Sequence, residues 1–296
     1  MFRVIDQHTV GEAITHAHEN TMVYSLFREL DCPIRSSSFS VKYVMEGDEM
    51  YTINGVPYKV KAGQYLLVNN QAEGNVEIES RKDVKGLCIN IKPEIIAEVA
   101  ASRIRPDTPV ADLGLGMFLN GADYPETQHN ADCTRLGQYI LTIAKQIHQN
   151  PHRFTPLNDE QYFALTEALL QDQLPQYHSY TRIATLKRRT LKHLLQQVWR
   201  GKEYIDTNFL EDITIPQIAK EACMSDYHFF RVFKVAMNCT PYQYMLQKRL
   251  HLAHDLLVSR EMSITEIAMH TGFADVAAFS KAFKKQFQLS PSFIKA

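Results

Sequence analysis

Residues 39–69 read FSVKYVMEGDEMYTINGVPYKVKAGQYLLVN, with apolar and polar residues alternating between short breaks. Alternation with a period of two is the mark of strands with one buried face. The breaks are turn signals: Glu46-Gly47-Asp48, Asn54-Gly55 and Ala62-Gly63. Asn-Gly is the strongest of them, because a two-residue hairpin turn of type I′ needs positive φ at both central positions. NVEIES (75–80) and GLCINI (86–91) continue the pattern as two further strands. Short strands at this spacing predict a small antiparallel barrel or sandwich. After Pro93 the period lengthens to that of a helix. EIIAEVAAS is a short helix candidate, and residues 105–128, broken by Pro and Gly, are irregular. Residues 133–149 put Leu136, Ile140, Ile143 and Ile147 on one helical face, ended by Asn150-Pro151. Residues 159–174 form a second amphipathic helix, closed by Pro175. These two helices suit self-association, or packing on their own barrel. From Thr181 onward the pattern is almost entirely helical.

That helical region contains a repeat. MSDYHFFRVFKVAM (224–237) and GFADVAAFSKAFKKQF (272–287) carry nearly one amphipathic pattern. Ser225 falls opposite Asp275, Phe229 opposite Phe279, Arg231 opposite Lys281, Phe233 opposite Phe283, Lys234 opposite Lys284 and Pro241 opposite Pro291. Upstream, Ile218-Ala219 matches Ile267-Ala268 with one residue fewer between copies, so one residue is gained in the second turn. Each copy predicts a short helix, a tight turn and a capped second helix, which is a helix-turn-helix, over about 213–235 and 262–286. Small Ala219 and Ala268 let the two helices approach. Gly272 suits the left-handed position that ends a helix. Cys223 or Met224 stands there in the first copy, so its turn is expected to differ slightly. Ser225 and Asp275 are good N-caps, whose side chains accept an orphan backbone N–H. Phe229 with Phe233, and Phe279 with Phe283, form inward stripes. Left outward are Asp226, Tyr227, Phe230, Arg231 and Lys234 in one copy, and Val276, Ala277, Ser280, Lys281, Lys284 and Lys285 in the other. Arg can read guanine bidentately, Phe230, Val276 and Ala277 can meet thymine methyls, and Lys284 and Lys285 suit phosphate. Residues 241–260 between the copies predict one long helix with an apolar face formed by Tyr244, Arg249, Leu250, Ala253, Leu256 and Leu257. Some 17 residues at 1.5 Å each give a spacer of roughly 25 Å, of the order of one DNA turn.

Charge sharpens this division. The chain of 296 residues has a net charge of −1, but residues 181–296 hold 17 Lys and Arg against 10 Asp and Glu. The rest holds 15 basic and 23 acidic residues. A basic helical region behind an acidic β region is the footprint of a nucleic-acid contact. The basic cluster Lys187-Arg188-Arg189 is read as a solvated helix face that can also meet phosphate. Five cysteines, Cys32, Cys88, Cys133, Cys223 and Cys239, form no CxxC pair, so neither a disulfide framework nor a cysteine zinc site is expected. No basic-then-apolar leader and no membrane-length apolar run is evident, which predicts a cytoplasmic protein without membrane contact.

The residues Ile267, Ala268, Gly272, Phe273, Phe279, Phe283, Lys284 and Pro291, in SITEIAMHTGFADVAAFSKAFKKQFQLSPSFIK, resemble the second helix-turn-helix signature of the AraC/XylS family of bacterial transcription regulators. The resemblance covers about residues 194–296. It implies that Tyr227, Phe230 and Arg231, and Val276, Ala277, Ser280 and Lys281, face bases; Lys234, Lys284 and Lys285 join the candidate DNA contacts from the outward set above. The chain departs from the family at Phe230 and at Val276-Ala277-Ala278, where polar residues are common, so readout would lean on methyl contacts and the second unit would be less specific. The turn-and-strand rhythm of residues 42–69 is also similar to a cupin, the sensor barrel of many family members. The expected organisation is therefore a cupin-like effector barrel (1–130), a helical dimerisation or linker region (131–180) and an all-α DNA-binding domain (181–296). Cupin metal sites use a His-x-His with a Glu and a later His. Leu66 and Ser40 stand where the later His and the Glu would be, and His16-x-His18 with Glu19 lies too far upstream. No metal, cofactor or catalytic residue is expected. The implied partners are double-stranded DNA, a small-molecule effector, a second copy in a homodimer and RNA polymerase, with activation the commoner outcome. A metal-dependent cupin enzyme with a DNA tether, and a regulator whose barrel only dimerises, are the alternatives. Tyr43, Tyr51, Tyr58 and Tyr65 read as strand core, and no effector-binding residue is assigned.

Overall fold

The computed structural model describes residues 1–7, 9, 20–35, 37–104, 114–184 and 191–295. The chain divides into two units, Met1–Thr181 and Arg182–Ala296. Among the described residues eight strands build the first: β1 (Phe2–Asp6), β2 (Thr21–Arg35), β3 (Phe39–Glu46), β4 (Asp48–Ile53), β5 (Val56–Lys61), β6 (Gln64–Val68), β7 (Glu73–Ile91) and β8 (Thr127–Asn130). The Asn54-Gly55 turn joins β4 to β5 with φ of 51° and 79°, as a type I′ hairpin requires. The two strands expected at 75–80 and 86–91 are one. β7 runs through both, with residues 80–83 standing out where its pairing with β2 shifts between Phe27 and Glu29.

β7 is the spine of the sheet. One edge pairs with β2 along nearly its whole length. The other edge pairs with β4 near Gly74 to Glu77 and with β3 from Lys85 to Ile91. The main path is β1-β2-β7-β3-β6-β8, and β5 hangs on β4. β8 pairs along its main chain with β6, and side chains at and just before β8 reach the β4–β5 hairpin. Gln128 Nε2 donates to the Lys59 carbonyl at 3.0 Å, and Asn54 Nδ2 to Glu126 Oε1 at 3.0 Å. The sheet is therefore open, where the strand rhythm predicted a small antiparallel barrel or sandwich.

Among the described residues the helices that follow are α1 (Pro93–Ser102), α2 (Leu115–Leu119), α3 (Arg135–Gln149) and α4 (Asp159–Ala184), whose last three residues belong to the second unit. The predicted stripe of α3 is buried at Leu136, Ile140, Ile143 and Ile147. Asp172 of α4 accepts from the backbone N–H of Arg135 and Leu136 at 3.2 and 2.8 Å, fixing the start of α3 against α4. Rings of Phe39, Tyr124, Phe118 and Tyr177 meet in succession at 5.4 to 5.5 Å, joining strand, loop and helices. α4 does not stop at Pro175 but continues through it. A proline inside a helix costs about 3 kcal/mol, since it lacks the N–H and crowds the preceding turn. Burial of Gln173, Gln176, Tyr177, Ser179 and Ile183 around it holds the helix together.

The second unit is helical: α5 (Leu191–Asn208), α6 (Ile215–Glu221), α7 (Asp226–Met237), α8 (Pro241–Ser259), α9 (Ile264–His270), α10 (Val276–Phe287) and α11 (Pro291–Lys295). α6 with α7, and α9 with α10, are the two repeats. Phe229, Phe233, Phe279 and Phe283 are all fully buried, each worth about 2 to 3 kcal/mol of transfer from water. Gly201 of α5 lies under the Phe229 ring, where a Cβ would collide with the ring edge. α5 thus supports the first repeat at close range.

Candidate nucleic-acid interface

The repeats begin alike. Gln217 Oε1 accepts from the Thr214 backbone N–H at 2.7 Å, and Glu266 Oε2 from that of Ser263 at 2.7 Å. Both first helices therefore start on the same reciprocal cap. Their turns also match, contrary to the difference expected from Cys223. The Cys223 and Met224 N–H groups donate to the Lys220 and Ala219 carbonyls at 3.0 and 2.9 Å. Those of Gly272 and Phe273 donate to Met269 and Ala268 at 3.1 and 3.0 Å. Cys223 simply takes the left-handed conformation, with φ of 53° against 78° for Gly272. The residue gained in the second copy is Ala274, after the shared turn.

The caps of the second helices differ. Asp275 accepts from the Ala278 N–H at 2.7 Å. Ser225 holds the cap position with extended backbone, but its side chain makes no cap bond, so the expectation for it is only half met. Beyond the caps, α7 exposes Tyr227 (78%), Phe230 (39%), Arg231 and Lys234. α10 exposes Ala277, Lys281, Lys284 and Lys285, while Ser280 is half-buried. Val276 departs from the outward set, because it packs partly against the core of Phe279, Phe283 and Leu250.

Tyr227, Phe230, Arg231 and Lys234 line one groove together with Arg182, Val235 and Asn238. Arg182 was not visible as part of this face in the sequence, being 45 positions or more away from it. Its guanidinium donates to the Ala236 carbonyl through Nε at 2.8 Å and Nη2 at 2.5 Å, satisfying an orphan acceptor in the last turn of α7. The groove thus gathers three cationic side chains and two exposed aromatic rings beside one helix. That composition suits an anionic, flat-faced polymer.

α8 starts on a Thr240 cap and Pro241, and its 19 residues span about 28 Å at 1.5 Å each. Arg249, read in the sequence as part of its apolar face, is an anchor. Its Nε donates to the Phe209 carbonyl at 2.6 Å, Nη2 to Glu211 at 2.9 Å and Nη1 to Gly272 at 3.1 Å. One side chain ties the end of α5 and the second turn to the central helix. Asp206 forms the other node, bonded by Lys202 at 2.5 Å, Tyr244 at 2.9 Å and Lys248 at 3.2 Å. Burial alone would push the Asp206 carboxyl up, but the two ammonium groups and the Tyr244 hydroxyl hold it below the usual carboxylate range.

The sheet unit holds a cavity of about 200 Å³. Tyr43 and Tyr51 line it, whereas Tyr58 and Tyr65 are buried elsewhere, the latter bonded to Thr134 Oγ1 at 2.8 Å. Ser40 also lines it, donating to Asn90 Oδ1 at 2.6 Å, and Asn90 donates on to Thr21 at 2.8 Å. His16, His18, Glu19 and Lys187-Arg188-Arg189 lie outside the described residues. Among the described residues no group of three or more His, Cys, Asp or Glu is placed to hold a metal ion, and no helix is long and apolar enough to cross a membrane.

A helix-turn-helix domain family matches residues 218–296. The lactose operon transcription activator of Staphylococcus xylosus is 26% identical over 165 residues, which is 56% of this chain and 55% of that one. The chain therefore spans about half the length of this curated relative. The protein named "Probable transcription factor PqrA" of Proteus vulgaris is 38% identical over 82 residues, 28% of this chain and 67% of that one. Among solved structures, a transcriptional regulator of Chromobacterium violaceum with an AraC-type DNA-binding domain is 25% identical, covering 33% of this chain and 88% of that one, with a TM-score of 0.32.

Proposed function

We propose that this chain, which belongs to the AraC/XylS family of transcription regulators, reads two successive major-groove segments with α7 and α10 under the control of a small molecule held by its sheet unit. The chain is a DNA-binding transcription regulator, and the relatives it matches are named as a transcription activator and a transcription factor. In the proposed complex Arg231 and Lys281 reach base edges, with Tyr227, Phe230, Val276, Ala277 and Ser280 beside them. Lys234, Lys284 and Lys285 meet phosphate. Half-burial of Val276 leaves Ala277 as the freer methyl contact on α10. The helical region 131–180 supplies a homodimer contact, and the complex works in the cytoplasm as an activator that engages RNA polymerase. The effector acts only through its differing affinity for DNA-competent and incompetent arrangements.

The observation that carries this reading is the duplication itself. Two identical turns present two exposed second helices joined by one rigid helix of about 28 Å. Selection of genomic fragments by the purified chain, beside Arg231→Ala and Lys281→Ala, tests it. Enrichment of a motif with two elements a helical turn apart, each element disappearing in one variant, is the expected result. A single element that disappears only with Arg231→Ala would reduce α10 to a backbone contact.

A further inference from the structure

The cavity of the sheet unit is lined by an acidic and a basic side chain that make no ion pair with each other. Glu49 is 4% exposed and lies in the cavity wall. Its carboxylate accepts a bond from the Tyr51 hydroxyl. It reaches across Gly86, where a Cβ would stand 2.5 Å from Glu49 Oε1 and 2.6 Å from Ser25 Oγ. The absence of a side chain at Gly86 is what lets the carboxylate lie against β7. Lys42 enters the same cavity from β3, where it pairs in register with Cys88. Its ammonium donates to Cys88 Sγ at 3.3 Å, a weak acceptor for a cation. Lys42 and Glu49 influence each other electrostatically, yet they make no ion pair within 4 Å. The third charged lining residue, Arg3, is already partnered within the chain. Phe27, Leu30, Val76 and Ile78 add an apolar stretch to the lining.

A buried carboxyl and a half-buried ammonium that share one cavity without meeting leave room for a guest that bonds to both. An apolar cavity of about 150 Å³ holds benzene, so one of about 200 Å³ holds roughly eight non-hydrogen atoms. Resting on the sensor reading above, we infer that the effector is a small aliphatic α-amino acid, its carboxylate on Lys42, its ammonium on Glu49 and its side chain against Phe27, Leu30, Val76 and Ile78. A simple carboxylate would leave Glu49 unmatched, a simple amine would leave Lys42 unmatched, and a neutral polyol would match neither.

The test is titration calorimetry of the full chain with L-valine, L-threonine and L-leucine, against 3-methylbutanoate, isobutylamine and erythritol. At least one amino acid should bind, with the acid, the amine and the polyol at least tenfold weaker. Lys42→Met and Glu49→Gln should each weaken the amino acid at least tenfold. The ligand series on the unaltered chain stands even if a variant misfolds. Equal or tighter binding of the acid, the amine or erythritol overturns the amino-acid assignment and leaves the sensor reading standing. Failure of all four classes to bind overturns the amino-acid assignment, and the sensor reading falls with it only if no small molecule changes the DNA selected by the chain.

Discussion

Cys223 occupies a backbone conformation that costs a residue with a Cβ about 1 to 2 kcal/mol, at φ of 53°. Gly272 fills the same place in the second repeat at no such cost. Cys223→Gly should therefore stabilise the second unit, by about 0.5 to 1 kcal/mol once the added freedom of the unfolded chain is subtracted. Gly272→Ala should destabilise it by more than the backbone term, because its Cβ would stand 2.9 Å from the Arg249 guanidinium. Arg249→Met should cost about 3 kcal/mol, since it strands three carbonyls that now accept from a charged donor. Urea unfolding followed by tryptophan fluorescence measures all three. The single tryptophan, Trp199, is buried in α5 with Lys202 Nζ 4.7 Å from its ring centre, so the signal comes from this unit alone.

At the scale of elements, the two recognition helices are held differently at their starts. Asp275→Ala should destabilise by about 1 kcal/mol, because a real cap bond is removed, whereas Ser225→Ala should be nearly neutral. Equal losses in the same urea experiment would mean that Ser225 caps in solution. The Asp206 node gives an acid signature. Its carboxyl is held below its ordinary value of 3.8, so its contribution is complete above that pH and lost as pH falls through the lower folded value. Asp206→Asn should flatten the acid limb of the stability profile. The repeats were legible because their buried stripes and turn residues recur at a fixed offset. The sheet was legible only where one face meets water. β3 illustrates the limit: alternation assigns Ser40 and Lys42 to a polar outer face, but both line the cavity, while Val41 is buried on the other face. β2 escaped notice for the same reason, as Met22 and Tyr24 are buried on one side while Thr21, Val23 and Ser25 line the cavity on the other. Pro175 misled because a local breaker was overridden by tertiary burial, and Arg249 because a charged residue on an apolar stripe can be an anchor for carbonyls.

Over the whole molecule, the near-neutral total hides a separation of charge: the last 116 residues carry a surplus of seven positive charges. DNA affinity should therefore fall steeply with salt even though the net charge is −1. The two proposed kinds of contact separate in that measurement. Lys284 and Lys285 are exposed on the last turns of α10 and bear on phosphate in the proposed complex. Replacing both with Ala should reduce the slope of log K against log salt by about 2, close to 0.9 for each phosphate no longer neutralised, and weaken specific and bulk DNA alike. Arg231→Ala should instead cost about 1 to 3 kcal/mol on the selected site, with little change on bulk DNA, because a base-edge contact discriminates where a phosphate contact does not. If Arg231→Ala changed the salt slope and weakened both DNAs equally, the Arg231 guanidinium would be bound to phosphate. The groove shared by Arg182, Arg231 and Lys234 would then clamp the backbone, and discrimination on α7 would rest on Tyr227 and Phe230.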